Sequence, residues 1–204
     1  MKHSNQLPLE RCPHCNVANP RIYQTWVHET TNSEKRGKRI WATYTCGTCG
    51  GVLLAVAPFA QQPAEISSIW PAPQAVAEEL PERAKAYLSQ AIASLHAPVG
   101  AVVTAASAVD AMLKAKGYKE GSLYARIDQA AKDHLITQEM GAWAHEIRLE
   151  ANDQRHADED APLPTTEDAA RVIEFAKALG QFLFVLPSRV ERGRQAKPEA
   201  TSST

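Results

Sequence analysis

The chain has 204 residues, 44% hydrophobic and 22% charged, with 22 Lys and Arg against 23 Asp and Glu and a formal net charge of -1. This length can bury a sizeable core and the composition is that of an ordinary globular protein. Near-neutral charge argues against a chain that holds nucleic acid mainly by bulk electrostatics, and without a run of eighteen apolar residues no membrane span is expected.

The first residues, MKHSNQLPLERC, lack an apolar signal core, so the chain is expected to be cytoplasmic, where thiols stay reduced. All four cysteines fall into two Cys-x-x-Cys pairs, Cys12/Cys15 and Cys46/Cys49. Two thiolates on one tight turn can reach a single ion, and two such turns complete the tetrahedral shell that zinc prefers. The alternative is a pair of disulfides or four unrelated buried thiols. The expectation is one structural Zn2+ held by Cys12, Cys15, Cys46 and Cys49.

Between the pairs, Arg21–Val27 and Arg39–Thr45 are rich in β-branched and aromatic residues and flank the polar turn Thr31–Lys38. A third strand-like run, Val52–Ala57, follows the second pair, which predicts a three-stranded zinc ribbon over residues 9–60. Its core is small, so metal should contribute folding free energy. Trp26, Trp41 and Tyr44 are expected to pack around the metal, or else to form an aromatic platform for a base. Arg21, Lys35, Arg36, Lys38 and Arg39 are either a small basic patch or a solvated loop.

Pro58, Pro63, Pro71, Pro73 and Pro81 mark a linker over 61–81, with Ile66, Ile69 and Trp70 suggesting that it docks. Five helices are predicted over 82–187. The first starts after Pro81, the second runs from Pro98 to the stop at Gly117, and the third spans about Ser122 to Leu135. Thr137 caps the fourth, and Thr165–Asp168 caps the fifth, which extends to about Leu186. The polar tail over 188–204 reads as disordered. The predicted class is therefore α+β, a small ribbon followed by an all-α bundle.

On the fourth helix Arg148, Asn152 and His156 recur every four residues. Such a stripe could bind phosphate, with Arg supplying charge, Asn a hydrogen bond and His a titratable proton. It could equally hydrogen-bond to neighbouring helices or to Asp158, Glu159 and Asp160.

The ribbon, Leu80-Pro81, Ala111–Tyr118, Ile136-Thr137, Trp143-Ala144, and Ile147-Arg148 with Asn152 and His156 together resemble family 4145 of domains of unknown function, over roughly residues 10 to 190. That family is similar to the HEPN helical bundles of bacterial defence and toxin–antitoxin systems. Many of those are metal-independent ribonucleases in which an Arg, four to six intervening residues and a His from each of two subunits share a cleft. The resemblance implies a homodimer through the bundle, a protein partner in a defence system, and contact with RNA or a nucleotide.

This chain departs from the HEPN pattern. Leu149, Glu150 and Ala151 stand where the arginine would be, Arg148 has seven residues between it and His156, and Arg155 is adjacent to His156 and points elsewhere on a helix. Ser107 stands where the family often has an arginine in the second helix. The leading expectation is a zinc-binding, HEPN-like accessory or binding module without catalysis. The alternative is a dimeric ribonuclease with Arg148, Asn152 and His156 in the cleft, and a third is a small-ligand pocket between the helices.

Overall fold

A computed structural model describes residues 1–59, 64–156 and 160–195. The chain divides into two compact units, Met1–Gln74 and Ala75 onward. The class is α+β: an N-terminal antiparallel sheet, then helices.

The sheet has the order β1 (Ile22–Thr30), β2 (Arg39–Cys46), β3 (Val52–Pro58), β4 (Ser68–Trp70). Alternation along β2 puts Ala42, Tyr44 and Cys46 on the inner face and Trp41, Thr43 and Thr45 on the outer, as the two-residue strand period requires. Leu7, Ile22, Ala42, Tyr44, Leu53, Ala55 and Ile69 form the inner core. The N-terminal residues are tied to it: the Leu7 N–H donates to the Ile22 carbonyl at 3.0 Å, and His3 Nδ1 lies 2.8 Å from the Tyr44 hydroxyl. Burial, foremost, pushes the Tyr44 phenol above and the His3 imidazole below their ordinary ranges.

Two expectations change here. A fourth strand, β4, forms inside the Pro-rich stretch read as linker and pairs Ile69 with Ala55 and Trp70 with Leu54. Tyr44 does pack inside the sheet, but Trp26 and Trp41 do not join it there. Trp26 stacks on His28 and Trp41 on Trp70, with centroids 5.1 and 6.2 Å apart. Trp41 falls outward because it sits one residue out of phase with Cys46 and Tyr44.

The second unit contains α1 (Glu82–Ala93), α2 (Pro98–Ala115), α3 (Leu123–Lys132), α4 (Gln138–His156), α5 (Thr166–Gly180) and α6 (Leu186–Gln195). A π turn, Gln181–Val185, joins α5 to α6 without leaving helical backbone. The tail expected to be disordered from 188 is thus helical to Gln195. Pro187 is tolerated because it falls in the first turn beyond the π turn, where the hydrogen-bond ladder is already shifted.

Helix α2 is the axis of this unit, packing against α1, α3, α4 and α5. By length and composition it could cross a membrane. Its Ala101, Val102, Ala105, Ala108, Val109 and Met112 are instead buried in the bundle core, where alanines allow close helix approach. At its end Gly117, at φ 103°, turns the chain, and the Tyr118 and Gly117 N–H groups donate to the Leu113 and Lys114 carbonyls, each at 3.1 Å. Helix α3 ends the same way, except that His134, at φ 57°, occupies the left-handed position.

Thr165 caps α5 reciprocally: its side chain accepts the Asp168 N–H, while Asp168 accepts the Thr165 N–H at 2.9 Å. That N–H, first among the causes, holds the Asp168 carboxyl below its ordinary range. His134→Gly, which relieves the left-handed strain, is expected to stabilise the helical unit by about 1 kcal/mol. Thr165→Ala is expected to destabilise it by about 1 kcal/mol. Denaturation midpoints followed by circular dichroism check both signs.

Candidate functional site

The two cysteine turns are near copies of each other. In each, the N–H of the first cysteine donates to the carbonyl five residues on: Cys12 to Val17 at 3.1 Å and Cys46 to Gly51 at 2.9 Å. The residue after the second cysteine donates back to the first, Asn16 to Cys12 and Gly50 to Cys46, each at 2.9 Å. Both of those residues take left-handed backbone, φ 57° and 71°. This closes a tight loop that aims two sulfurs the same way.

The four sulfurs lie within 4.8 Å of one another, and Cys12 Sγ is 4.0 Å from Cys49 Sγ. A tetrahedron with metal–sulfur bonds near 2.3 Å has edges of roughly 3.8 Å, whereas a disulfide needs sulfurs about 2.05 Å apart. The cysteines are free thiols whose spacing fits one cation. Backbone N–H groups of His14 and Gly51 point at Cys12 Sγ and Cys49 Sγ, each at 3.4 Å, and would stabilise thiolates.

The thiols are electrostatically unequal. Burial, the largest cause, pushes Cys12 up to about 12. Burial also raises Cys46, but the Cys49 and Thr48 N–H groups outweigh it and bring that thiol down to about 7. Cys49 is lowered by the Gly51 N–H, yet burial and the Cys15 and Cys46 sulfurs carry it upward overall. A bound cation would displace the thiol protons.

His14 is a brace that cysteine spacing does not reveal. Its Nε2 lies 2.9 Å from the Val52 carbonyl, tying the first turn to β3 beyond the second. Its ring lies over Gly51, where a Cβ would come within 2.5 Å of His14 Cδ2. Gly51→Ala must displace that ring. It is expected to weaken metal retention about tenfold, measured by competition with a chromophoric chelator.

In the helical unit, α4 brings Arg148 and Asn152 to one small cavity of about 180 Å3, also lined by Tyr124 of α3 and by Arg155. The Arg148 guanidinium lies 5.3 Å from the Tyr124 ring centroid, and its buried Nε has no hydrogen-bond partner among the described residues. His156 is exposed near the helix end and does not line the cavity. The reason is the helical period. Seven residues on from Arg148 falls within about 20° of it, whereas eight falls roughly 80° away, so Arg155 rather than His156 shares its side.

Sequence reading sent Arg155 elsewhere and missed His145. The Nε2 of His145 lies 3.0 Å from Asp128, and its ring is 4.6 Å from that of Tyr124. Asp158 and Glu159, read as partners of the stripe, lie outside the described residues. Glu150 instead pairs with Arg171 at 2.9 Å, while burial, foremost, raises its carboxyl.

A larger cavity of about 600 Å3 adjoins the small one, sharing Ala106, Leu123 and Arg155. Its charged walls are Arg83, Asp110, Lys114, Lys119, Arg126 and Arg155. Ser107 also lines it, with its hydroxyl donating to the Val103 carbonyl at 2.9 Å.

Fold and site thus define an α+β protein that joins a four-thiol, metal-competent sheet unit to a helical unit with a cationic cleft. Residues 89–196, more than half of the chain, match the family described as a domain of unknown function, DUF4145, and the chain belongs to that family. The match begins within α1, so the four cysteines lie outside it and it is shorter than the resemblance expected from sequence. No curated protein and no solved structure gives a significant match.

Proposed function

We propose that the chain is a zinc-binding, HEPN-like accessory or binding module that contacts RNA or a nucleotide without cleaving it. In this reading it works in the cytoplasm, as a homodimer through its helical bundle, beside a protein partner in a bacterial defence or stress response. Zinc is favoured because four thiolates suit a borderline-soft ion of tetrahedral preference, and a closed all-protein shell leaves no position for a substrate. The metal is therefore structural.

The observation that carries the binding role is the convergence of Arg148, Asn152 and Arg155 on one cavity while His156 stays outside it. Arginine and asparagine can grip a phosphate by charge and hydrogen bonds. A proton donor held away from that grip does not serve the scissile bond.

Reduced protein is expected to contain about one zinc per chain by elemental analysis. No zinc, or iron in its place, would overturn the metal assignment. A labelled single-stranded RNA is expected to bind and stay intact, with affinity falling about tenfold in Arg148→Ala/Asn152→Ala and unchanged in His156→Ala. RNA cleavage that disappears in His156→Ala would replace this reading with the ribonuclease one.

A further inference from the structure

We propose that the larger helical cleft binds a small ligand carrying two or more adjacent phosphates, such as a nucleoside polyphosphate or inorganic polyphosphate. The inference rests on reading the helical unit as a binding module and names the ligand of its cationic cavity.

Charge is the first observation. Arg83 of α1, Lys114 of α2, Lys119 of the α2–α3 connection, Arg126 of α3 and Arg155 of α4 set five positive charges against Asp110 alone. The whole chain has a formal charge of -1, so positive charge is concentrated here rather than spread. Asp110 is already engaged, accepting Arg126 Nη1 at 2.7 Å and pairing with Lys114. Among the described residues, Arg83, Lys119 and Arg155 have no carboxylate at ion-pair distance. Three of the five cations therefore stand without an ion-pair partner among the described residues.

Arg126 is the second observation. Its side chain is only 11% exposed, and its Nη2 donates to the Lys119 and Gly121 carbonyls at 3.2 and 2.6 Å. Its Nε is buried without a partner. A guanidinium fixed in this way loses little entropy on binding an anion.

Size and layout select the ligand. A cavity of about 600 Å3 lies within the usual range for small-molecule sites. The cations converge on one cavity from four helices and a connection rather than tracking along a groove, which suits clustered phosphates better than an extended strand.

The test is titration calorimetry on the full-length protein at low ionic strength, with inorganic tripolyphosphate, ATP, adenosine and a single-stranded oligoribonucleotide. Tripolyphosphate and ATP should bind, adenosine should not, and added salt should weaken both. Arg83 and Lys119 are exposed, so Arg83→Glu/Lys119→Glu should keep the melting temperature while reducing both affinities at least about tenfold. ATP tighter than tripolyphosphate identifies a nucleotide; equal affinity identifies the phosphate chain alone.

Failure of both anions to bind, or binding unchanged in the double variant, overturns the inference. If the oligoribonucleotide binds and tripolyphosphate does not, the inference falls while the binding-module reading stands. Tripolyphosphate binding without RNA binding supports the inference and removes RNA from that reading.

Discussion

The approach of four sulfurs to within 4.8 Å of one another is the constraint on which the sheet unit depends. Among the described residues its inner core contains seven, two of them alanine, beside a small cluster of Ile40, Ala57 and Ala64. Burial of that size cannot hold a long-looped β structure against chain entropy. A cation held by the four thiols would join the N-terminal segment to the corner between β2 and β3 and close the intervening hairpin. The repeated turns, with matching hydrogen bonds and left-handed residues, make that geometry local and therefore robust.

The helical unit solves its stability differently. Its core is continuous and extends along α2, whose small residues bring α1, α4 and α5 close. Among the described residues no charged side chain is buried, so the charges of this unit lie on the rim of that core. Positive charge collects on that rim, and the one carboxylate in it is consumed in positioning Arg126 and Lys114. A near-neutral chain can thus carry a strongly cationic cavity. The two units differ in kind: one gathers four thiols that can hold a metal ion, and the other presents a cationic cavity.

Much of this was legible in the sequence, and the misses have physical causes. The cysteine pairs, the alternating strands, Pro98 and Gly117 at the ends of α2, and the Thr165–Asp168 cap each rest on local rules that the fold obeys. Strand β4 was hidden because three residues among prolines carry too little pattern; its pairing with β3 is non-local. Strand parity relative to Cys46 would have sent Trp41 outward and Tyr44 inward. On α4, spacing by four suggested one stripe, but eight residues turn far enough to carry His156 away and bring Arg155 in. The cationic cavity is built from four helices and the connection between two of them, so no window of sequence displays it.

The most direct measurement is amide hydrogen exchange on the full-length protein, reduced, with and without a strong chelator. Removal of metal is expected to abolish protection at the paired amides of β2 and β3 while those of α2 and α5 exchange as before. Sheet amides that stay equally protected in metal-free protein would contradict the claim that a cation on Cys12, Cys15, Cys46 and Cys49 holds this unit together.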